Sequence, residues 1–90
     1  MLEELKSYLK ITWDEEDLLL DNLINDAEEY LNELCGVELD YTDINNKSLV
    51  KDYVRYAYNN NVEWFEINFA SKLLRLQLKE GIKSCEEDKI

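Results

Sequence analysis

The sequence predicts an all-α protein of four helices, two short and two long. Three observations carry that reading: apolar residues recur at spacings of three and four, proline is absent, and only Gly36 and Gly81 interrupt ninety residues. Glycine and proline are the residues a helix interior tolerates least, so long helices meet few breakers here. A chain of this length is expected to form one domain, residues 1–90, without staples.

Leu2, Leu5, Tyr8 and Leu9 make the first, short amphipathic helix, which is expected to end near Lys10. The stretch "TWDEE" then reads as a start signal. Thr12 is placed to cap, Glu15 stands three residues on in capping-box position, and Asp14 to Asp17 face the positive end of the new helix. The apolar stripe of that second helix is Leu20, Leu23, Ile24, Ala27, Leu31 and Leu34, and Gly36 is its natural stop.

Residues 37–45 have no sustained period and read as a connector. The third helix is expected to begin near Asn46, with Leu49, Val50, Tyr53, Val54 and Ala57 inward, and Trp64 and Phe65 continuing that face if it runs on. A last helix, "ASKLLRLQLKEGIK", is expected to bury Leu74, and the tail from about residue 84 to fray.

No apolar run is long enough to span a bilayer, and "MLEELKSYLK" lacks the pattern of a signal peptide, so the chain is expected to be soluble and made in the cytoplasm. Histidine is absent, and Cys35 and Cys85 stand alone without metal-ligand spacing. Zinc sites, Cys-His nucleophiles and imidazole acid–base chemistry therefore lack their residues, and both thiols read as small packing groups. "DYTDINNKSLVKD" fails the alternating ligands and the glycine of a calcium loop. The acids at 14–17 are expected at an exposed helix start, a poor setting for acid–base work. Neither a cofactor, a metal nor catalysis is expected.

The net charge of −11 argues against nucleic acid as a ligand, because phosphate binding runs on Lys and Arg. Its distribution is uneven. Residues 1–46 hold fourteen Asp and Glu against Lys6 and Lys10, whereas residues 47–83 hold seven Lys and Arg against four acids. The basic residues form lines: Lys47, Lys51 and Arg55 at spacing four, and Lys72, Arg75, Lys79 and Lys83 at three and four. Each line is either a solvated face paired within the monomer or a docking face for an acidic neighbour.

Residues 53–69 carry six of the ten aromatic side chains around Asn59, Asn60 and Asn61. On one continuous helix they widen the apolar arc to roughly 200°, beyond the stripe a small bundle buries. Tyr56, Tyr58, Phe65 and Phe69 are therefore candidate partner contacts, unless they lie flat on the monomer. Leu18 points away from the Leu20/Ala27/Leu31 stripe and is a further candidate. The candidate interface is thus Leu18, Tyr56, Tyr58, Phe65, Phe69, Lys51, Arg55, Lys72, Arg75 and Lys79. Asparagine's weak helix propensity favours a bend at residues 59–61.

The run "LEELKSYLKI", "WDEED", "LLLDNLINDAEEYLNELCG", a variable loop, "LVKDYVRYAYNN" and "LLRLQL" resembles the small head-tail connector proteins of tailed bacteriophages and prophages, often labelled DNA-packaging proteins. The likeness covers nearly the whole chain, with one departure. An arginine–glutamate pair belongs soon after Asn59, where this chain has Asn60-Asn61-Val62-Glu63. The resemblance implies a non-enzymatic ring at the head-tail junction of the virion. That ring adapts the portal protein to a tail-side connector or stopper and passes DNA without binding it specifically. An alternative from another class is a small acidic DNA mimic that inhibits a host nucleic-acid-binding protein; the acidic first half suits it and the basic lines do not. A helix-turn-helix regulator fits less well, because no basic recognition helix follows a short turn.

Overall fold

A computed structural model of the protein describes the backbone of residues 1–88 and the side chains of residues 1–81. The chain is all-helical, with five helices and no strand among the described residues: α1 Leu2–Leu9, α2 Asp17–Cys35, α3 Ile44–Tyr58, α4 Val62–Asn68 and α5 Ala70–Asp88. The expected count of four is corrected at the asparagines.

α3 stops where the Asn61 amide bonds to the Tyr56 carbonyl at 2.8 Å and the Asn60 amide to that of Ala57 at 3.0 Å. This closure needs a left-handed residue, and Asn60 supplies it at φ 59°. Asparagine tolerates that conformation better than other residues with a side chain, so the helix ends there and α4 sets off anew. The first two helices end in the same hand, at Lys10 with φ 61° and at Gly36 with φ 71°.

Two helix starts differ from expectation. α2 begins at Asp17, without a cap from Thr12. Lys6, buried on α1, draws the carboxylates of Asp14 and Asp17 to 2.6 and 2.8 Å, and the Trp13 ring N–H donates to Glu16 at 2.6 Å. Those contacts hold residues 13–16 in an irregular turn, and the two carboxylates raise the Lys6 pKa. α3 starts two residues early, because Asp43 caps it by accepting from the amides of Asn45 and Asn46 at 2.8 and 3.3 Å.

The connector between α2 and α3 is pinned by side-chain amides. Asn32 accepts from the Leu39 amide at 3.0 Å and from the Tyr41 hydroxyl at 2.7 Å, and buried Asn46 donates to the Asp40 carbonyl at 3.0 Å. With the connector fixed, α2 and α3 lie antiparallel, and α1, α4 and α5 pack around the pair.

The core holds Leu5, Leu20, Ile24, Ala27, Leu31, Leu49, Val50 and Val54 as expected, and adds Ile11, Leu39, Phe65, Leu73 and Leu76. Leu9, Leu23, Leu34, Tyr53 and Ala57 are half-buried around it. Leu74 is a correction: it is 56% exposed. On α5 the buried stripe is Leu73 and Leu76, and a residue one step from Leu73 is turned about 100° away from it. Cys35 is half-buried, whereas the side chains of Lys83 and Cys85 fall outside the described ones; the tail expected to fray from about residue 84 has a helical backbone as far as Asp88, and residues 89–90 lie outside the described ones.

Burial raises the hydroxyl pKa of Tyr30, Tyr53 and Tyr41, the last to about 12 with further help from the Glu28 carboxylate. A raised pKa stabilises the fold only while the hydroxyl keeps its proton. That contribution is complete below the ordinary value of 10.0 and is lost as pH rises to about 12. Stability in urea is therefore expected to fall across that window, with tyrosinate absorbance appearing later in the native protein than in the unfolded chain. Coincident titration of the two states would contradict it.

Candidate assembly surface

The asparagine break decides what the aromatic residues do. Because α4 turns back, Phe65 drops between α2 and α3 and is fully buried. Tyr53 and Tyr56 meet its ring edge-on at 5.3 and 5.9 Å, Tyr30 does so at 6.1 Å, and Phe69 stacks on it at 4.8 Å. Such pairs favour edge-to-face and offset geometry, so the cluster is a packed satellite of the core. Phe65 is thus a core residue in the monomer, which corrects its place among the contact candidates.

Tyr56, Tyr58 and Phe69 are half-buried and keep one side in solvent. The Tyr58 hydroxyl donates to Glu16 at 2.9 Å, and that of Tyr56 accepts from Asn68 at 3.0 Å. Leu18 is 75% exposed on α2. Trp64, expected to continue the inward face of α3, is 52% exposed on α4.

The two basic lines separate. On α3, Lys47 and Lys51 reach Glu4 of α1 at 3.2 and 3.6 Å, and Arg55 stands 3.9 Å from Asp52 and over the rings of Tyr8 and Tyr56. Asp52 also accepts from the Tyr8 hydroxyl at 2.7 Å. Lys47 bonding holds the Glu4 carboxyl below its usual range. This line is engaged in holding α1 to α3.

The α5 line is different. Lys72, Arg75 and Lys79 border a groove of about 320 Å³ whose far wall is Asn45, Asn46 and Ser48 of α3 and whose floor is Leu49 and Leu76. No carboxylate among the described residues lines it; Asp43 stands beside it, 3.9 Å from Lys79. Neither Lys72 nor Arg75 takes part in an ion pair among the described residues, although the Lys72 ammonium lies 5.4 Å over the Phe69 ring. A cationic groove with an apolar floor, on a chain of net charge −11, is suited to an acidic and partly apolar ligand.

A family described as phage gp6-like head-tail connector protein matches residues 1–85. The chain belongs to that family. It is accordingly a phage protein of a structural, virion-assembly kind, and its associates are other phage assembly proteins. No curated protein and no solved structure matches the sequence significantly. No helix of the connector, among the described residues, is long and apolar enough to cross a membrane, and no group of three metal-ligating side chains is gathered there.

Sequence reasoning missed several exposed apolar residues of the connector. Ile44 is 82% exposed, and Ile67, Leu74 and Leu78 stand out on α4 and α5. The signal for the α5 pair was present, since Leu74 and Leu78 fall on the opposite side of a helical wheel from Leu73 and Leu76. Ile44 gave no such signal, because its exposure follows from Asp43 capping α3 one residue earlier.

Proposed function

We propose that the connector assembles as a ring at the head-tail junction of the virion, adapts the portal protein to a tail-side connector or stopper, and extends the channel through which DNA passes. The family match over residues 1–85 carries this reading. The charge supports it, because an acidic wall repels phosphate and does not hold DNA in transit. In this role the protein is structural and performs no catalysis. It is made in the cytoplasm of the bacterial host and ends in the virion.

Light scattering at several concentrations, with and without portal rings, tests it. Masses at multiples of 10.7 kDa, growing with concentration or on addition of portal, are the expected result. A constant single-chain mass under every condition, portal included, would count against the ring.

A further inference from the structure

We infer that the cationic groove between α3 and α5 receives the outward face of α2 from a second copy of this chain, centred on Leu18. This rests on the ring reading and names the surfaces that make it. The α2 face supplies what the groove lacks. Leu18 is 75% exposed, and exposed carboxylates stand three residues to either side, at Glu15 and Asp21. Neither of those carboxylates forms an ion pair among the described residues.

The layout of the two surfaces is alike. Asp21 lies about 4.5 Å of helical rise beyond Leu18 on α2 and Glu15 stands in the turn just before that helix, while Lys72 to Lys79 spans about 10.5 Å of α5 with Leu76 between them. An apolar knob flanked by two acids thus faces an apolar floor flanked by two cations. Charge pairs of this kind orient a docking event, while Leu18 supplies most of the apolar area that holds it, since Leu49 and Leu76 are already nearly covered in the monomer.

The two surfaces cannot satisfy each other within one molecule. Glu16 is bonded to Tyr58 at the C-terminal end of α3, whereas Lys79 stands beside Asp43 at its N-terminal end. Roughly 20 Å of α3 separates those ends. The knob and the groove therefore meet only between copies, and each copy keeps one free knob and one free groove. Such a head-to-tail contact propagates until its rotation closes a ring.

Charge-reversal pairs test the contact, read by light scattering and sedimentation under conditions in which the wild type assembles, with circular dichroism to confirm helicity. Lys72→Glu with Arg75→Glu is expected to raise the concentration needed for assembly by about tenfold or more, and Glu15→Lys with Asp21→Lys to do the same. The four changes combined restore assembly if the two faces meet each other. Unchanged assembly in either double variant, or no recovery in the combined one, overturns the contact and leaves a ring built through another face. A wild type that stays a single chain even with portal overturns the ring reading and this contact together.

Discussion

Phe65→Ala is expected to cost about 3 to 5 kcal/mol of folding stability. The side chain is fully buried, and its ring is the one that Tyr30, Tyr53, Tyr56 and Phe69 all touch. Removing it leaves a void bounded by four large rings that two helices and a stacked partner hold apart, so the site has little freedom to collapse. A ninety-residue domain has a total of roughly 5 to 13 kcal/mol, so this single change removes a large share of it. The expected drop in melting temperature is about 12 °C or more. Trp64→Ala, one position earlier and half exposed, is expected to cost about 1 kcal/mol or less. Thermal melts of the two variants side by side check the contrast. Equal losses would mean that α4 is turned differently from the arrangement described.

That pair also marks where the sequence was readable and where it was not. The inward stripe of α2 was legible because Leu20, Ile24, Ala27 and Leu31 repeat at helical spacing and share one packed face. Gly36 was legible for a similar reason, since a left-handed stop favours glycine. The asparagines signalled a bend, but neither the left-handed φ at Asn60 nor the new direction of α4 is written in a helical wheel drawn through residues 49 to 65. A wheel assumes one axis. Once the axis breaks, Phe65 moves from the flank of an over-wide arc to the centre of a ring cluster, and Trp64 moves outward.

The same limit applies to helix starts. Thr12 had the chemistry of a cap, yet Lys6 gathers Asp14 and Asp17 across the turn. A contact between α1 and the next segment overrides a local preference worth about 1 kcal/mol. The candidate surface was half legible. The basic line on α5 could be counted from the sequence, and so could Asp52 three residues before Arg55, but the separation of the two lines depends also on Glu4 of α1, which reaches Lys47 and Lys51 only in the folded chain.

Leu31→Ala is expected to cost about 2 to 5 kcal/mol, and Leu74→Ala to change stability by no more than about 0.5 kcal/mol. Leu31 is fully buried on α2, the helix against which α1, α3 and α5 all pack, so its loss opens a cavity at the meeting point of several elements. Leu74 is 56% exposed, turned away from the Leu73 and Leu76 stripe, and alanine is as good a helix former as leucine. Urea unfolding of both variants, with the slopes compared to confirm that each unfolds from the same compact state, separates the two cases. The measurement should be made at low and high protein concentration, because any residue covered by a second molecule stabilises by mass action. The Leu74→Ala effect is expected to be the same at both, since the groove that takes Leu18 lies on the Lys72, Arg75 and Lys79 side of α5. A loss at Leu74 that grows with concentration would instead place the outer leucines of α5 inside the contact between copies.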